Sequence, residues 1–246
     1  MITRRLALGG LAAGLAGCDR ITTSETAARL LDGTERLNLG AHRLLTDRTA
    51  LAREYRPNEV SPVFRTNGTS FPDTPEYRRH LATGFSDWRL VVDGAVRRPL
   101  QLALGQLVAM PSRSQITRHD CVEGWSAIGG WTGPLLKLVL DMAGVRPGAR
   151  YVAFHCADRY GQASYYESID LVDAYHPQTI LAWGMNGRML DVDHGAPLRL
   201  RVERMLGYKH AKYLERIEVR ESLDGLYGGR GGTWEDLARY EWYAGI

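Results

Sequence analysis

The sequence contains little cysteine: Cys18, Cys121 and Cys156 are the three such residues among 246. A haem attached through Cys-x-x-Cys-His and an iron–sulfur cluster held by four cysteines both need a cysteine set that this chain does not contain. Neither kind of electron carrier is therefore encoded in the chain.

Long apolar runs and an excess of charge are also missing. After residue 18 no run approaches the roughly 20 apolar residues of a membrane-spanning helix, and no internal repeat is visible. The formal net charge is +3, and two of the basic residues, Arg4 and Arg5, lie in the leader. A nucleic-acid partner is not expected from so small an excess. With 44% hydrophobic and 24% charged residues, the chain is predicted to be globular, with a core large enough to enclose an organic cofactor.

Residues 1–18 have the pattern of a targeting signal, with a basic start and then an apolar run rich in Ala, Gly and Leu. Thr3-Arg4-Arg5 is a twin-arginine pattern, typical of proteins that are exported already folded. Leu15-Ala16-Gly17-Cys18 is similar to a lipobox, which predicts acylation at Cys18, and Asp19 is typical of retention at the inner membrane. We expect a periplasmic protein tethered by lipid at Cys18. An ordinary cleavable signal is the alternative.

The rest of the chain divides into an N-terminal arm, residues 19–60, and one domain, residues 61–246. The arm has helical spacing at residues 27–31 and 50–55, interrupted by Gly33 and Gly40. In the domain, helices are predicted at 100–110, 133–145 and from Ser168, and strands at 87–92, 151–156, 179–190, 196–203 and 214–221. Because strands and helices mix without regular βαβ alternation, the predicted class is α+β.

The stretch from Arg118 to Ser126 is the most informative for chemistry. Cys121 lies there between two predicted helices, flanked by Arg113, Arg118 and His119. Nearby cations lower the pKa of a thiol, and a thiolate is a ligand for a soft transition metal. An inert buried cysteine and a disulfide with Cys156 are the alternatives from this stretch alone.

A zinc site built from His119, Cys121, His155 and Cys156 is a further alternative. His155 and Cys156 are neighbours on a predicted strand, so their side chains point to opposite faces of the sheet. That spacing argues against one shared ion.

A second cluster follows at His194-Gly195-Ala196-Pro197-Leu198-Arg199 and Gly207-Tyr208-Lys209-His210-Ala211-Lys212. Arg199 and Lys212 supply positive charge, and the nearby glycines let backbone approach an anion. The cluster is interpreted as a phosphate clamp or as a solvated basic face.

Taken in order, these stretches resemble the sulfite-oxidase-fold family of molybdopterin-dependent oxidoreductases, and especially the periplasmic methionine-sulfoxide reductase catalytic subunit. The resemblance covers residues 61–221 and implies the sulfite-oxidase-like fold, with mixed sheets and surrounding helices, and a molybdenum-molybdopterin cofactor. Its Arg-x-x-Cys-Val-Glu-x-Trp-Ser segment implies that Cys121 is the metal ligand. The contacts to the pterin and its phosphate implied by the resemblance are Asn67, Ser70, Phe71, Cys156, His194, Arg199, His210, Ala211 and Lys212. Asn67-Gly68 is alternatively a simple turn.

The chain departs from true sulfite oxidases at the anion-binding positions. Those enzymes follow the ligand cysteine with Ala-Gly-Asn-Arg-Arg and place an arginine before the asparagine, whereas this chain has Val122-Glu123-Gly124-Trp125 and Thr66. It also departs from the reductase branch, with His194 where the contact is histidine-free and Cys156 where a hydroxyl stands. Sulfite is therefore a poor first substrate.

The predicted function is oxygen-atom transfer in the periplasm, such as reduction of a protein-bound or small sulfoxide or an N-oxide. Glu123 is predicted to be a proton donor near the metal, with a salt bridge to Arg118 as its alternative. The aromatic tail from Tyr227 to Tyr243 covers the site or packs in the core. Electrons would come from a membrane cytochrome or a quinol-linked protein. Dehydrogenation of a small sulfur anion and a non-catalytic binding lipoprotein are the other two hypotheses.

Overall fold

The structure is a computed structural model, and it describes residues 25–161 and 163–246. The predicted signal at residues 1–18, with its acylation at Cys18, lies outside the described residues. The chain forms two compact units, with the boundary between Thr46 and Asp47.

The first unit contains one helix, α1 (Glu25–Leu45), which continues through Gly33 and Gly40. The prediction that these glycines interrupt the helix was wrong. Glycine in a helix interior costs about 1 kcal/mol relative to alanine, which a helix of this length can absorb. Among the described residues, no helix has both the length and the apolar character needed to cross a membrane.

The second unit contains the sheets and the remaining helices. The helices are α2 (Pro75–Ala82), α3 (Leu104–Ala109), α4 (Leu136–Ala143), α5 (Leu171–Ala174) and α6 (Thr233–Ala238). The strands are β1 (Arg89–Gly94), β2 (Leu100–Ala103), β3 (Ser112–Cys121), β4 (Trp125–Pro134), β5 (Tyr151–Tyr160), β6 (Ala163–Asp170), β7 (Ile180–Ala182), β8 (Gly184–Met185), β9 (Arg188–Met189), β10 (Arg199–Arg201) and β11 (Leu214–Arg220). Short 3₁₀ helices lie at Pro57–Glu59, Val192–His194 and Gly207–Lys209.

The strands form three sheets. A five-stranded sheet has the order β2-β1-β11-β5-β6, a four-stranded sheet the order β3-β4-β8-β9, and β10 pairs with β7. Only β1 and β11 run parallel among the named strand pairs; the rest are antiparallel. The predicted α+β class with mixed sheets is confirmed.

The core forms where a helix or strand has its apolar residues on one face and that face is buried. In α4, Leu136, Val139, Leu140 and Ala143 are buried, which is the i, i+3, i+4, i+7 spacing of an amphipathic helix. Gly144 ends α4 in the left-handed conformation at φ 71°, as a helix C-terminus favours. The predicted end of this helix is therefore confirmed.

The four-stranded sheet and the β10–β7 pair approach each other closely at Gly133. A Cβ at this position would lie 2.0 Å from the carbonyl oxygen of Leu181. Only glycine allows β4 and β7 to come this close, and β7 is thereby held against the hairpin that carries Cys121.

Four local predictions were wrong because tertiary pairing overrides local pattern. Residues 50–55 are extended, and the Tyr55 N–H donates to the Ile116 carbonyl (2.8 Å). Residues 100–110 begin as strand β2, paired with β1, before the short helix α3. Ser168 lies in β6, and Asp170 caps α5 instead by accepting from the Asp173 N–H (2.9 Å). Cys121 itself ends strand β3 and does not lie in a connection between helices.

Candidate active site

A cavity of about 340 Å³ opens beside Cys121 and collects residues from distant parts of the second unit. Its wall is built from the loop after Gly68, the β3–β4 turn, the β5–β6 hairpin, the turn before β11 and the C-terminal segment. The wall residues are Asn67, Gly68, Thr69, Cys121, Val122, Glu123, Asp158, Tyr160, Tyr165, Gly207, Tyr208, His210, Lys212, Trp234 and Tyr240.

Cys121 is positioned by a tight hairpin. It is the last residue of β3 and lies opposite Trp125, the first residue of β4. The turn closes with a hydrogen bond from the Gly124 N–H to the Cys121 carbonyl (3.0 Å), with Gly124 at φ 84°. The thiol is half-buried and forms no disulfide, so a soft ligand atom is presented to the cavity from a rigid turn.

The predicted cationic activation of Cys121 was wrong. Arg113 contacts Glu54, and Arg118 contacts Asp120 (2.9 Å), so both charges are already paired. Burial raises the pKa of the Cys121 thiol, and the carboxylate of Glu123 also raises it. A thiolate would therefore form when a bound metal ion displaces the proton.

His119 lies behind the hairpin as a buried, neutral residue. Its Nδ1 accepts a hydrogen bond from the Arg201 guanidinium (3.1 Å), and burial together with Arg201 and Arg199 lowers its pKa far below the usual value. The His119 ring packs directly against the backbone of Gly207. A Cβ at that position would lie 2.5 Å from His119 Nε2. His119 thus shapes the wall at Gly207.

Lys212 brings a poorly neutralised positive charge to the cavity. Its Nζ donates to two carbonyl oxygens, those of Thr69 (2.5 Å) and Asp193 (2.9 Å). Burial and the neighbouring Arg199 lower its pKa to about 7. A buried cation with neutral partners gains most from an anionic ligand.

Arg199 is fully buried behind this wall and does not line the cavity. Its guanidinium donates to the carbonyls of His194 (2.9 Å) and His210 (3.3 Å), while Nε has no partner among the described residues. Burial and Arg201 lower its pKa to about 9. The interpretation of Arg199 and Lys212 as a solvated basic face was therefore wrong.

His210 and Ala211 connect these two cations. His210 Nε2 lies 3.0 Å from the Met205 carbonyl, and its Nδ1 is buried without a partner among the described residues. Burial and Arg201 lower the His210 pKa well below its usual value. His210 lines the cavity, whereas Ala211 is buried beside it and does not.

The predicted contacts near residue 70 separate into two groups. Asn67 lines the cavity, together with Thr69, which the sequence did not indicate. Ser70 is exposed, and Phe71 packs edge-on against Tyr77 (5.8 Å between ring centroids). The structure does not bring Ser70 and Phe71 to the wall, because Phe71 joins an aromatic cluster instead.

Cys156 and His194 also lie off the wall. Cys156 is buried and free, and burial raises its pKa well above the usual value. His194 lies 2.9 Å from Asp193 and 3.2 Å from the Phe64 carbonyl. The disulfide between Cys121 and Cys156 is not formed.

The zinc alternative is likewise not supported. His155 lies 3.0 Å from Glu218 and 3.2 Å from the Tyr227 hydroxyl. Among residues 25–161 and 163–246, the histidines and cysteines of that hypothesis do not converge into a metal-binding group; the group that does consists of Asp191, Asp193 and His194.

Glu123 lies at the exposed edge of the wall. Its carboxylate accepts a hydrogen bond from the Trp125 indole N–H (3.0 Å). Because Arg118 pairs with Asp120, the alternative salt bridge between Glu123 and Arg118 is not formed. Glu123 is thus exposed to solvent and also lines the cavity.

Asp158 is the main wall residue that sequence reasoning missed. Its side chain is buried, and Oδ1 has no partner among the described residues. Burial raises the pKa of Asp158 to about 6, although Thr69 and Lys212 lower it. The available signal was its place two residues after Cys156, just past the end of the strand predicted at 151–156.

Comparisons with known proteins identify the family of this chain. Residues 78–225 match the family described as "oxidoreductase molybdopterin binding domain". The chain is 38% identical to a putative protein-methionine-sulfoxide reductase subunit of Azospira oryzae over 244 residues, covering 99% of this chain and 86% of that protein. The identity is 30% to the protein-methionine-sulfoxide reductase catalytic subunit of Campylobacter jejuni, with coverage of 68% and 59%, and 34% to that of Gluconobacter oxydans, with 65% and 54%.

The chain thus spans less than two thirds of the length of the latter two proteins. Among solved structures it is similar to the sulfane dehydrogenase SoxCD of Paracoccus pantotrophus, with a TM-score of 0.52 and 23% identity over 56% of this chain and 39% of that one. That similarity shows a shared fold.

Proposed function

This chain belongs to the oxidoreductase family with a molybdopterin-binding domain, and from that premise we propose that it reduces organic sulfoxides, including methionine sulfoxide. The observation that carries the proposal is the cavity that joins the Cys121 thiol to Lys212, His210 and the Asp158 carboxyl, whose Oδ1 has no hydrogen-bond partner among the described residues. The names of its relatives support the same substrate class.

The residues present fit a molybdenum-molybdopterin cofactor. The Cys121 sulfur supplies a soft metal ligand from the β3–β4 turn. The hydrogen bonds of Lys212 Nζ go to carbonyl oxygens, and the buried Nδ1 of His210 has no partner among the described residues, which suits an anionic phosphate and the ring atoms of a pterin. Arg199 supports this wall from behind through the His210 carbonyl.

When bound, the molybdenum centre supplies two-electron chemistry for oxygen-atom transfer. Reduction of a sulfoxide then balances as R₂SO with two electrons and two protons giving R₂S and water. The carboxyl of Asp158 holds one proton in the cavity, because its pKa of about 6 keeps a protonated fraction near neutral pH. Glu123, at the exposed edge, returns protons from solvent.

The wall near Cys121 disfavours a small inorganic anion as substrate. Val122 and Glu123 follow the cysteine, and the nearby Arg118 is paired with Asp120. A carboxylate at this edge repels sulfite. We therefore place sulfoxide reduction ahead of sulfite oxidation.

We also propose that the electron donor is a membrane cytochrome or quinol-linked protein and that the enzyme works in the periplasm, tethered by lipid at Cys18. The twin-arginine pattern and the sequence before Cys18 support this. The described residues carry neither a haem-attachment motif nor a cysteine set for an iron–sulfur cluster, which supports a separate electron donor.

The decisive experiment assays purified, molybdenum-loaded enzyme with an artificial electron donor or acceptor. Substrates are free and protein-bound methionine sulfoxide, a dialkyl sulfoxide, an amine N-oxide and sulfite. We expect turnover with the sulfoxides that is absent in Cys121→Ser. Faster oxidation of sulfite than reduction of any sulfoxide would overturn the proposal.

A further inference from the structure

Part of the cavity wall comes from beyond the family domain. The family match ends at residue 225, yet Trp234 and Tyr240 line the cavity that contains Cys121. We call residues 226–246 the C-terminal segment. The matched domain does not by itself complete the pocket, so this segment can contribute to substrate selectivity.

The segment contributes to a continuous aromatic rim, defined as Tyr160, Tyr208, Trp234 and Tyr240. Ring centroids lie 5.0 Å apart for Tyr160 and Trp234, 5.9 Å for the stacked Trp234 and Tyr240, and 5.2 Å for Tyr240 and Tyr208. All four residues line the cavity. The rim therefore forms one connected apolar wall, with spacings typical of interacting aromatic pairs.

A buried ion cluster fixes this rim to the domain. Lys209 Nζ lies 2.5 Å from Glu235 of α6 and 2.7 Å from Glu167 of β6, and all three side chains are almost fully buried. A Cβ at Gly232 would lie 2.0 Å from Glu235 and 2.5 Å from Glu167, so the approach of the segment requires glycine. Trp234 is thus held next to an anchored residue.

Hydrogen bonds to backbone carbonyls hold the end of the segment as well. The Tyr208 hydroxyl donates to the Glu241 carbonyl (2.6 Å), and the Leu206 N–H donates to the Ala244 carbonyl (2.9 Å). The rim is therefore a preorganised surface, and its binding energy is not spent on ordering a loose tail.

The chemistry of the rim favours alkyl groups. Aromatic rings bury alkyl groups away from water. None of the four rim side chains carries a formal charge, and the Tyr208 hydroxyl already bonds to Glu241. We propose that the rim is a substrate subsite that binds the alkyl arms of an organic sulfoxide. This inference rests on the proposed function.

The test compares Trp234→Leu and Tyr240→Leu with Trp242→Leu. Trp242 belongs to the same segment but packs edge-on against Tyr151 (5.5 Å), away from the cavity wall. We expect the KM for methionine sulfoxide to rise about two- to tenfold in each rim variant, because less of the alkyl arm is buried, with kcat within about twofold. Trp242→Leu leaves KM unchanged, and Trp234→Phe restores most of the affinity.

Two measurements separate this role from cofactor binding and from general stability. Molybdenum and pterin per chain are measured for every variant, and a dialkyl sulfone is titrated as a non-reacting ligand by tryptophan fluorescence. Normal cofactor content with weaker sulfone binding supports the subsite. Loss of cofactor with unchanged KM, or equal effects in all three Leu variants, would overturn it.

The sulfone titration also distinguishes the two proposals. If the wild-type enzyme reduces no sulfoxide, the proposed function fails. Sulfone binding that depends on Trp234 would still support an alkyl subsite in that case. If sulfoxides turn over but the rim variants bind sulfone normally, the subsite alone is wrong.

Discussion

The guanidinium of Arg199 lies over the ring of Trp131, with 4.8 Å between its central carbon and the ring centroid. The Arg201 guanidinium also lies over the Trp131 ring, with its central carbon 4.2 Å from the ring centroid, but Arg201 forms a salt bridge with the Glu203 carboxylate (2.6 Å). Arg199 has carbonyl partners and no carboxylate partner among the described residues. A cation–π contact stabilises such a charge only in part, so an anion nearby would be strongly attracted.

Replacing Arg199 with Ala should reduce cofactor retention. The variant loses the donors that hold the His194 and His210 carbonyls and the positive potential behind Lys212. Because Arg199 acts from behind the wall, the effect should be that of an ordinary hydrogen bond, about 0.5–1.5 kcal/mol, or a roughly two- to tenfold loss of retention. Molybdenum and pterin per chain are the measurement. Arg188→Ala, at an exposed position, serves as control, and normal cofactor content in folded Arg199→Ala would contradict the clamp.

Lys212→Met should have opposite effects on the apoprotein and the loaded enzyme. The folded-state pKa of Lys212 is lowered to about 7, so the charged lysine destabilises the folded apoprotein below pH 7, and this effect shrinks as pH rises toward its ordinary value. Removing the charge should raise the free energy of unfolding at pH 6 by about 1–3 kcal/mol. Cofactor content should fall. Lys137→Met, on exposed α4 surface, should change neither, and a less stable apoprotein at pH 6 would refute the argument.

Cys121→Ser should abolish activity and remove the metal, because a hydroxyl is a poor substitute for a soft thiolate. Cys156→Ser is the matched control: this thiol is also free, but it is buried off the wall. Its variant should keep the metal and most of the activity. Metal analysis and turnover test both, and a fully active Cys121→Ser enzyme would remove the metal-ligand assignment.

Asp158→Asn should weaken the dependence of apoprotein stability on pH. The folded-state pKa of Asp158 is raised to about 6 from an ordinary value near 4, so its contribution to apoprotein stability is present at low pH and is lost as pH rises through 6. The lost contribution is at most about 3 kcal/mol. Denaturant unfolding at pH 4, 6 and 8 should show a smaller decline in the variant.

The same substitution should lower sulfoxide turnover, most of all below pH 6, where the wild-type carboxyl is protonated. Glu215→Gln controls for the stability comparison, since burial raises the pKa of that carboxyl too and it is not a wall residue. An unchanged pH–rate profile with normal cofactor content would exclude Asp158 as the proton donor.

Cys18→Ala should release the protein from membranes while leaving it folded and active. Acylation would attach the lipid to that residue. Membrane fractionation together with mass spectrometry of the N-terminus tests this. An unmodified N-terminus in the membrane fraction would show that another feature provides the attachment.

The sequence pattern predicted an element correctly where the local periodicity agrees with the tertiary packing. Helix α4 and its end at Gly144 could be predicted because one face is buried and glycine can adopt a positive φ. Strand β2 could not, since residues 100–103 look helical alone and become a strand only by pairing with β1.

The site shows the same limit. Arg113 was expected to activate Cys121. Its guanidinium is instead paired with the carboxylate of Glu54, which is remote in sequence. The cavity wall at Asp158 and Trp234 depends equally on long-range packing. Ordered motifs identify the ligand cysteine and the basic residues, whereas charge pairing and burial decide which of them reach the cavity.

Trp234 and Tyr240 come long after Cys121 in the sequence, which sets an order of events during synthesis. Cys121 leaves the ribosome well before Tyr240 does, by roughly 6 to 24 seconds at ordinary elongation rates. Until then the pocket lacks the side made by the C-terminal segment, and Lys209 lacks the Glu235 carboxylate. The cavity can therefore close around a cofactor only after residue 240 has been synthesised and has packed against the wall.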